Sequence, residues 1–115
     1  MTVTIYHNPR CSKSRETLRL LEARGIRPQI VEYLNTPPTE AELKNLIAML
    51  GIRPRELVRK GEPEYKQARL DEPNSSDTEI IRALAKHPKL MQRPIVVANR
   101  KAALGRPPEN VLKIL

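Results

Sequence analysis

Apolar and polar residues alternate along residues 2–6, and this period of two predicts a β-strand. From Ser12 onward the apolar positions recur with helical spacing, which predicts an amphipathic helix. Either Ser12 or Ser14 is the expected N-cap of that helix, and Gly25 is its expected end. A second strand, over residues 29–34, then completes a β-α-β unit.

Helical spacing dominates the middle of the chain, after the pair Pro37-Pro38. Thr39 and Glu42 have the spacing of a capping box, so a helix is expected to begin at Thr39 and to end at Gly51. Further short helices are expected over residues 54–60, around residues 64–68, and from Ser76 or Asp77 to His87-Pro88.

The last part of the chain returns to strand patterns. Residues 95–98 form an apolar run that predicts a buried strand, and Arg100-Lys101 is the expected turn. A weaker strand over residues 102–105 and a helix over residues 109–115 follow. The order is therefore β-α-β, a helical insert over about residues 39–90, and β-β-α.

This order resembles the thioredoxin-like fold, which is an α/β fold with a central mixed four-stranded sheet. We expect residues 1–115 to form a single domain of this kind, with the helical insert inside it. In that fold the reactive cysteine lies at the N-terminus of the first helix, and an often cis proline before the third strand faces it. Cys11 and Pro94 stand at those two positions.

The chain is strongly basic, with 21 Lys+Arg against 13 Asp+Glu and a net charge of +8. Such a charge favours anionic partners, which include nucleic acid, acidic protein surfaces and small oxyanions. The cations are scattered and aromatic residues are few, so the pattern disfavours nucleic acid. No apolar run has the length of a membrane span, and no signal-peptide pattern is present. A cytoplasmic protein with no membrane association is the expectation.

Cys11 is the only cysteine, and it lies in a polar loop where the first strand turns into the first helix. The positive end of the helix dipole favours the thiolate, and so do the nearby cations Arg10, Lys13 and Arg15. The polar neighbours argue against an inert buried cysteine. Because the chain has no second cysteine, any disulfide chemistry must take its partner thiol from another molecule.

The other residues of this loop leave alternatives open. His7 is interpreted as an ion-pair partner of the thiolate, as a member of a hydrogen-bond network, or simply as a loop histidine. Arg15 shares a helix face with Cys11, but it could equally be a solvated cation. His7, Cys11 and His87 do not have metal-ligand spacing, so no metal site is predicted. A phosphatase loop is disfavoured because Thr17 stands where the arginine of the low-molecular-weight tyrosine phosphatases is required.

Five separated segments, in order, resemble the glutaredoxin/glutathione-coupled arsenate reductase family. They are Ile5 to Leu21 with the loop around Cys11, Tyr33-Leu34-Asn35-Thr36-Pro37-Pro38, Glu56-Leu57-Val58-Arg59-Lys60, Arg93-Pro94-Ile95-Val96-Val97 and Gly105-Arg106-Pro107-Pro108-Glu109.

The resemblance implies that Cys11 is the nucleophile that attacks arsenate, and that His7 tunes its thiolate. It implies three arginines that contact the oxyanion, and flanking positions that support the cysteine loop. It further implies that glutathione resolves the adduct and that glutaredoxin supplies electrons to give arsenite, with no bound cofactor. The implied arginines are Arg59, Arg93 and Arg106, and the implied supporting residues are Ser14, Arg15 and Pro94.

Two other functions stay open. One is a related monothiol oxidoreductase that acts on another substrate, for example a glutathione mixed disulfide; characterised members often extend beyond the position of Leu115, which leaves room for a different substrate. The other is a regulator that binds RNA polymerase or another acidic partner through the basic surface. The Cys-x-x-Cys switch of such regulators is absent, because Ser14 occupies the second cysteine position.

Overall fold

A mixed four-stranded sheet is present in the computed structural model, which describes residues 2–115. Its strands are β1 (Thr4–Tyr6), β2 (Gln29–Val31), β3 (Ile95–Ala98) and β4 (Lys101–Leu104), in the order β2-β1-β3-β4. β1 is parallel to β2 and antiparallel to β3, and β3 is antiparallel to β4. The α/β fold class with this sheet is thus confirmed.

β1 begins at Thr4 rather than at residue 2, and β4 ends at Leu104 rather than at residue 105. Two further strand ends differ from the prediction because of turns. β2 ends at Val31 because the chain turns at Glu32, whose carbonyl accepts hydrogen bonds from the N–H groups of Asn35 (2.9 Å) and Thr36 (3.0 Å). The turn between β3 and β4 consists of Asn99 and Arg100, which both have positive φ (53° and 62°), as a tight two-residue hairpin requires. The predicted turn at Arg100-Lys101 is therefore displaced by one residue, and Lys101 belongs to β4.

The first helix, α1 (Ser12–Ala23), has Cys11 as its N-cap, so the prediction of Ser12 or Ser14 in this role was wrong. The Ser14 side chain is turned back toward the loop before the helix, where it takes part in other hydrogen bonds. The predicted helix end is correct. Gly25 has φ 75° and donates its N–H to the Glu22 carbonyl (2.9 Å).

α1 packs on the sheet through a core of aliphatic side chains. Leu21 is fully buried there, together with side chains of the strands and of a 3-10 helix at Pro108–Ile114. This 3-10 helix replaces the α-helix predicted over residues 109–115. The buried members of this core are Val3, Ile5, Leu21, Val96, Ala98 and Val111.

The chain divides into two compact units: one comprises the part up to Thr36 together with Arg93–Leu115, and the other is Pro37–Gln92. The second unit covers nearly the same residues as the predicted insert. It contains α2 (Glu40–Leu50), α3 (Pro63–Gln67) and α4 (Asp77–Lys86), with 3-10 helices at Pro54–Leu57 and Pro88–Leu90. The predicted capping box at Thr39 is confirmed, and so is the end of α2 at Gly51, which has φ 68°.

A short antiparallel contact inside the second unit fixes the backbone around Arg59. Val58 forms a β-bridge with Met91, and the Arg59 N–H donates to the Leu90 carbonyl (2.7 Å). The predicted helix over residues 54–60 therefore ends at Leu57, because the next residues are extended. Within residues 2–115, no helix combines the length and the apolar character that crossing a membrane demands.

Candidate functional site

Cys11 lies where the loop after β1 enters α1, and its side chain is partly exposed. Its N–H donates to the Asn8 carbonyl (3.0 Å), and its own carbonyl accepts from the Arg15 N–H (3.0 Å). The Cys11 side chain makes no capping hydrogen bond to the helix, so the thiol is not committed as an ordinary cap. The N-terminal amides of the helix, on Lys13 and Ser14, face the sulfur instead.

The surroundings of Cys11 favour the thiolate. Burial raises the pKa of the thiol, but the Ser14 N–H, the guanidinium of Arg93 and the Lys13 N–H, which all face the sulfur, together lower it below its ordinary value of 9.0. Two of these three influences come from the helix N-terminus and the third from a cation far away in sequence. The predicted activation of this cysteine therefore has a structural basis.

Two arginines meet at the sulfur. Nη2 of Arg106 lies 3.8 Å from Sγ of Cys11, and Nε of Arg106 donates to the Arg93 carbonyl (2.7 Å). Each of the two arginines precedes a cis proline, Pro94 and Pro107 respectively. Nε of Arg93 is buried and has no hydrogen-bond partner among the described residues. The structure thus brings together Cys11, Arg93 and Arg106, three of the residues predicted for the site.

His7 belongs to a buried hydrogen-bond network below the loop. Its Nδ1 lies 2.7 Å from Oγ of Ser14, and the same Oγ accepts the N–H of Asn8 (3.0 Å). Desolvation lowers the pKa of His7 below 6.5; Glu32 opposes this shift and Arg15 adds to it. A neutral imidazole at neutral pH fits the network interpretation better than an ion pair with the thiolate.

Arg15 braces the same loop from the surface. Its Nη1 donates to the carbonyl of Pro9 (2.9 Å), and its side chain is exposed. The Arg15 guanidinium makes this hydrogen bond to Pro9 and none to the sulfur of Cys11 among the described residues. Arg15 therefore supports the loop that carries Cys11 rather than the thiol itself.

Two features of this unit were missed by sequence reasoning. Gly105 follows β4 and donates its N–H to the Pro94 carbonyl (2.9 Å); a Cβ at this position would lie 2.7 Å from Cγ of Pro94 and would also collide with Oγ1 of Thr17. Gly105 is thus required by a close approach of α1 to the Pro94 loop. Gly105 lies in one of the segments that resemble the family, but its local signal, a glycine at a strand end, is too common to indicate this contact.

The second missed residue is Tyr33, whose side chain is fully buried. Burial raises its pKa to about 12; Arg93, Asn8 and Arg106 oppose the shift and the charge of Cys11 adds to it. Tyr33 therefore shares the electrostatic environment of the candidate site. Tyr33 lies in one of the segments that resemble the family, but nothing in the local pattern indicates where its hydroxyl lies.

Arg59 belongs to the other unit, so its assignment to the oxyanion site stays a prediction. Within its unit its Nη1 is 3.6 Å from Oε1 of Glu62, and this nitrogen is buried without a hydrogen-bond partner among the described residues. Residues 2–115 contain no group of three or more His, Cys, Asp or Glu side chains arranged to hold a metal ion.

Comparison with known proteins gives a consistent result along the whole chain. The sequence model of the ArsC family matches residues 6–114. The arsenate reductase of Neisseria meningitidis serogroup A is 50% identical over 98% of this chain and 97% of its own length. "Uncharacterized protein YfgD" of Escherichia coli is 54% identical over 98% of this chain and 96% of its own length.

A solved structure agrees with these sequences. The arsenate reductase from Vibrio cholerae superposes with a TM-score of 0.97 at 53% identity, and the match covers 100% of this chain and 98% of that chain. Both the fold and the sequence therefore give the same assignment, and the chain belongs to the ArsC family.

Proposed function

We propose that this protein is an arsenate reductase whose nucleophile is the thiolate of Cys11. The observation that carries the proposal is the meeting of a thiol of lowered pKa with Arg93 and Arg106 at one point. The relatives from Neisseria meningitidis and Vibrio cholerae, which are named arsenate reductases, support the choice of substrate.

The two arginines suit a tetrahedral oxyanion. A guanidinium presents several N–H donors in a plane and keeps its charge at every working pH, so it holds an anion in a fixed orientation. Nε of Arg93, which is buried and unpaired among the described residues, is a donor that such an oxygen would satisfy. Arg59 is the third arginine of the proposal, on the strength of its sequence context.

The proposed first step is a substitution at arsenic. The sulfur of Cys11 forms a bond to As(V), one As–O bond breaks, and the oxygen leaves as water after taking up a proton. Glutathione then forms a second As–S bond, as another As–O bond breaks and its oxygen leaves as water. The glutaredoxin thiolate attacks the glutathione sulfur and breaks its bond to arsenic. The bonding pair stays on arsenic, which gives a glutaredoxin–glutathione mixed disulfide and As(III) still bound to Cys11. Water then attacks this As(III), the bond to the Cys11 sulfur breaks, and arsenite and the free thiol are released.

An external thiol fits the cysteine content of the chain. Cys11 is the only cysteine, so the disulfide relay of reductases with several cysteines has no second position here. The basic net charge of +8 favours approach of anionic partners such as glutathione and arsenate.

The test is turnover of arsenate with glutathione, glutaredoxin and a coupled NADPH readout. Cys11→Ser should lower the rate at least about 1000-fold, because a serine hydroxyl is not ionised at neutral pH. Arg93→Ala and Arg106→Ala should each lower kcat/KM about 100-fold, as expected when one donor to an oxyanion is lost. Arg19→Ala, an exposed change on α1, is the matched control.

Retained turnover in Cys11→Ser would refute the proposal. If the wild-type protein does not reduce arsenate but removes glutathione from a mixed disulfide, the second candidate function applies. That candidate, a monothiol oxidoreductase, is favoured by the lowered pKa of Cys11, because a thiolate at a helix N-terminus attacks disulfides as well as oxyanions.

A further inference from the structure

The Tyr33 hydroxyl is a buried polar group that no described residue satisfies. The residue has no exposed surface, and its oxygen has no hydrogen-bond partner among the described residues. Asn8 influences the pKa of Tyr33, but the two side chains do not meet in hydrogen-bonding geometry, and Oδ1 of Asn8 already accepts the N–H of Arg10 (3.0 Å). A buried hydroxyl without a hydrogen-bond partner lowers the stability of the fold, so we expect a bound ligand to supply the acceptor.

The charged groups around this hydroxyl indicate where that partner sits. Arg93, Cys11 and Arg106 all act on Tyr33, and these are the residues that meet at the candidate site. Arg93 also contributes the buried, unpaired Nε. Within residues 2–115, one site therefore contains two donors without acceptors, one neutral and one cationic, beside the nucleophilic sulfur.

We propose that the hydroxyl of Tyr33 donates a hydrogen bond to the oxyanion that Arg93 and Arg106 hold beside Cys11. The inference rests on the proposed function, because it names a further residue that touches the same substrate. The hydroxyl supplies a donor without adding charge, and so orients one oxygen of arsenate. It transfers no proton, since a phenol with a pKa of about 12 stays protonated throughout the working range.

Tyr33→Phe isolates this hydroxyl, because the ring that fills the buried space is retained. The experiment measures alkylation of Cys11 by iodoacetamide at increasing sodium sulfate and, separately, sodium arsenate, at constant ionic strength. In the wild type both anions should protect Cys11. In Tyr33→Phe the concentration needed for half protection should rise about tenfold, as for one lost hydrogen bond to a charged group.

Two further measurements separate this role from a structural one. The thermal stability of Tyr33→Phe should equal or exceed that of the wild type, because an unsatisfied hydroxyl is removed. The pH dependence of alkylation without added anion should be unchanged, because the hydroxyl is assigned to the oxyanion and not to the thiolate. Tyr65→Phe, in the unit Pro37–Gln92, is the matched control and should behave as the wild type.

The outcomes are distinct. Equal protection of the wild type and Tyr33→Phe would overturn the assignment of Tyr33 and leave the proposed function standing. Absence of protection in the wild type would overturn the proposed function and this inference with it. A destabilised Tyr33→Phe with normal protection, or a shifted pH profile in the absence of anion, would also overturn the inference, by assigning the hydroxyl to the fold or to the thiolate.

Discussion

The first turns of α1 and α2 differ in their side-chain capping and in their charge. α2 begins with a complete capping box: Oγ1 of Thr39 accepts the Glu42 N–H (3.1 Å), and Oε1 of Glu42 accepts the Thr39 N–H (3.3 Å). Glu40 and Glu42 also place negative charge in its first turn. α1 has Cys11 as its N-cap, with no side-chain capping hydrogen bond and no acidic residue in its first turn.

The difference teaches what each helix start is for. In α2 the unpaired amides and the positive end of the dipole are neutralised by the helix's own side chains, which stabilises the fold. In α1 the amides of the first turn and the positive end of the helix dipole act on the Cys11 sulfur. Burial raises the pKa of this thiol, and the amides of Ser14 and Lys13 lower it. The start of α1 therefore lacks a side-chain cap and instead lowers the pKa of Cys11.

The largest expected effect is on stability, and it comes from the close packing of α1 against Gly105. Gly105→Ala should lower the free energy of unfolding by about 3 kcal/mol, because its Cβ has no room against Pro94 and Thr17. Gly61→Ala, where a Cβ would meet nothing within 4 Å, is the matched control and should be nearly neutral. Urea denaturation measures both, and equal stabilities of the two variants would show that packing at Gly105 does not anchor α1.

The next prediction compares the side-chain hydroxyl of Ser14 with that of Thr39. Ser14→Ala should cost about 2 kcal/mol, since both His7 Nδ1 and the Asn8 N–H lose a buried partner. Thr39→Ala should cost about 1 kcal/mol, the usual loss for an exposed cap. Alkylation of Cys11 should slow in Ser14→Ala and stay unchanged in Thr39→Ala. A slower reaction in Thr39→Ala would remove the contrast between the two helices.

A smaller effect is expected when an acidic residue is introduced into the first turn of α1, where α2 has Glu40 and Glu42. Ser12→Glu places a carboxylate in the first turn, where it competes with the thiolate for the helix dipole, so alkylation at pH 7 should slow about twofold. Ser12→Gln controls for side-chain size. Glu40→Gln on α2 should instead lower the free energy of unfolding by about 0.5 kcal/mol and leave alkylation unchanged. Faster alkylation in Ser12→Glu would contradict the electrostatic account.

The smallest expected effect is a pH dependence of stability that arises from His7 in its buried hydrogen-bond network. The pKa of His7 is lowered by desolvation, so in the window below 6.5 the unfolded chain binds the proton more readily than the folded one. The stability from the neutral imidazole is fully present above pH 6.5 and is lost as the pH falls through the folded-state value. Urea denaturation from pH 5 to 8 should show the wild type losing stability relative to His7→Gln below pH 6.5, and parallel curves would exclude this contribution.

Local patterns were enough for much of the fold. The capping box at Thr39, the helix ends at Gly25 and Gly51, and the strand at residues 95–98 depend on neighbours within a few residues, so the sequence predicts them directly. The N-cap of α1 was mispredicted because Ser14 finds better partners in His7 and Asn8, and that choice depends on the bend of the loop before the helix.

What the sequence by itself determined is the order of elements, the single cysteine at a helix start, and the resemblance of five segments to one family. Only the tertiary structure decided that Arg93 and Arg106 meet Cys11, that Gly105 must lack a Cβ, and that Tyr33 is buried where the charges of Arg93, Arg106 and Cys11 act on it. The physical reason is distance along the chain. Cys11 and Arg106 are 95 positions apart, and no local period or propensity encodes a contact that depends on the pairing of β1 with β3 and of β3 with β4.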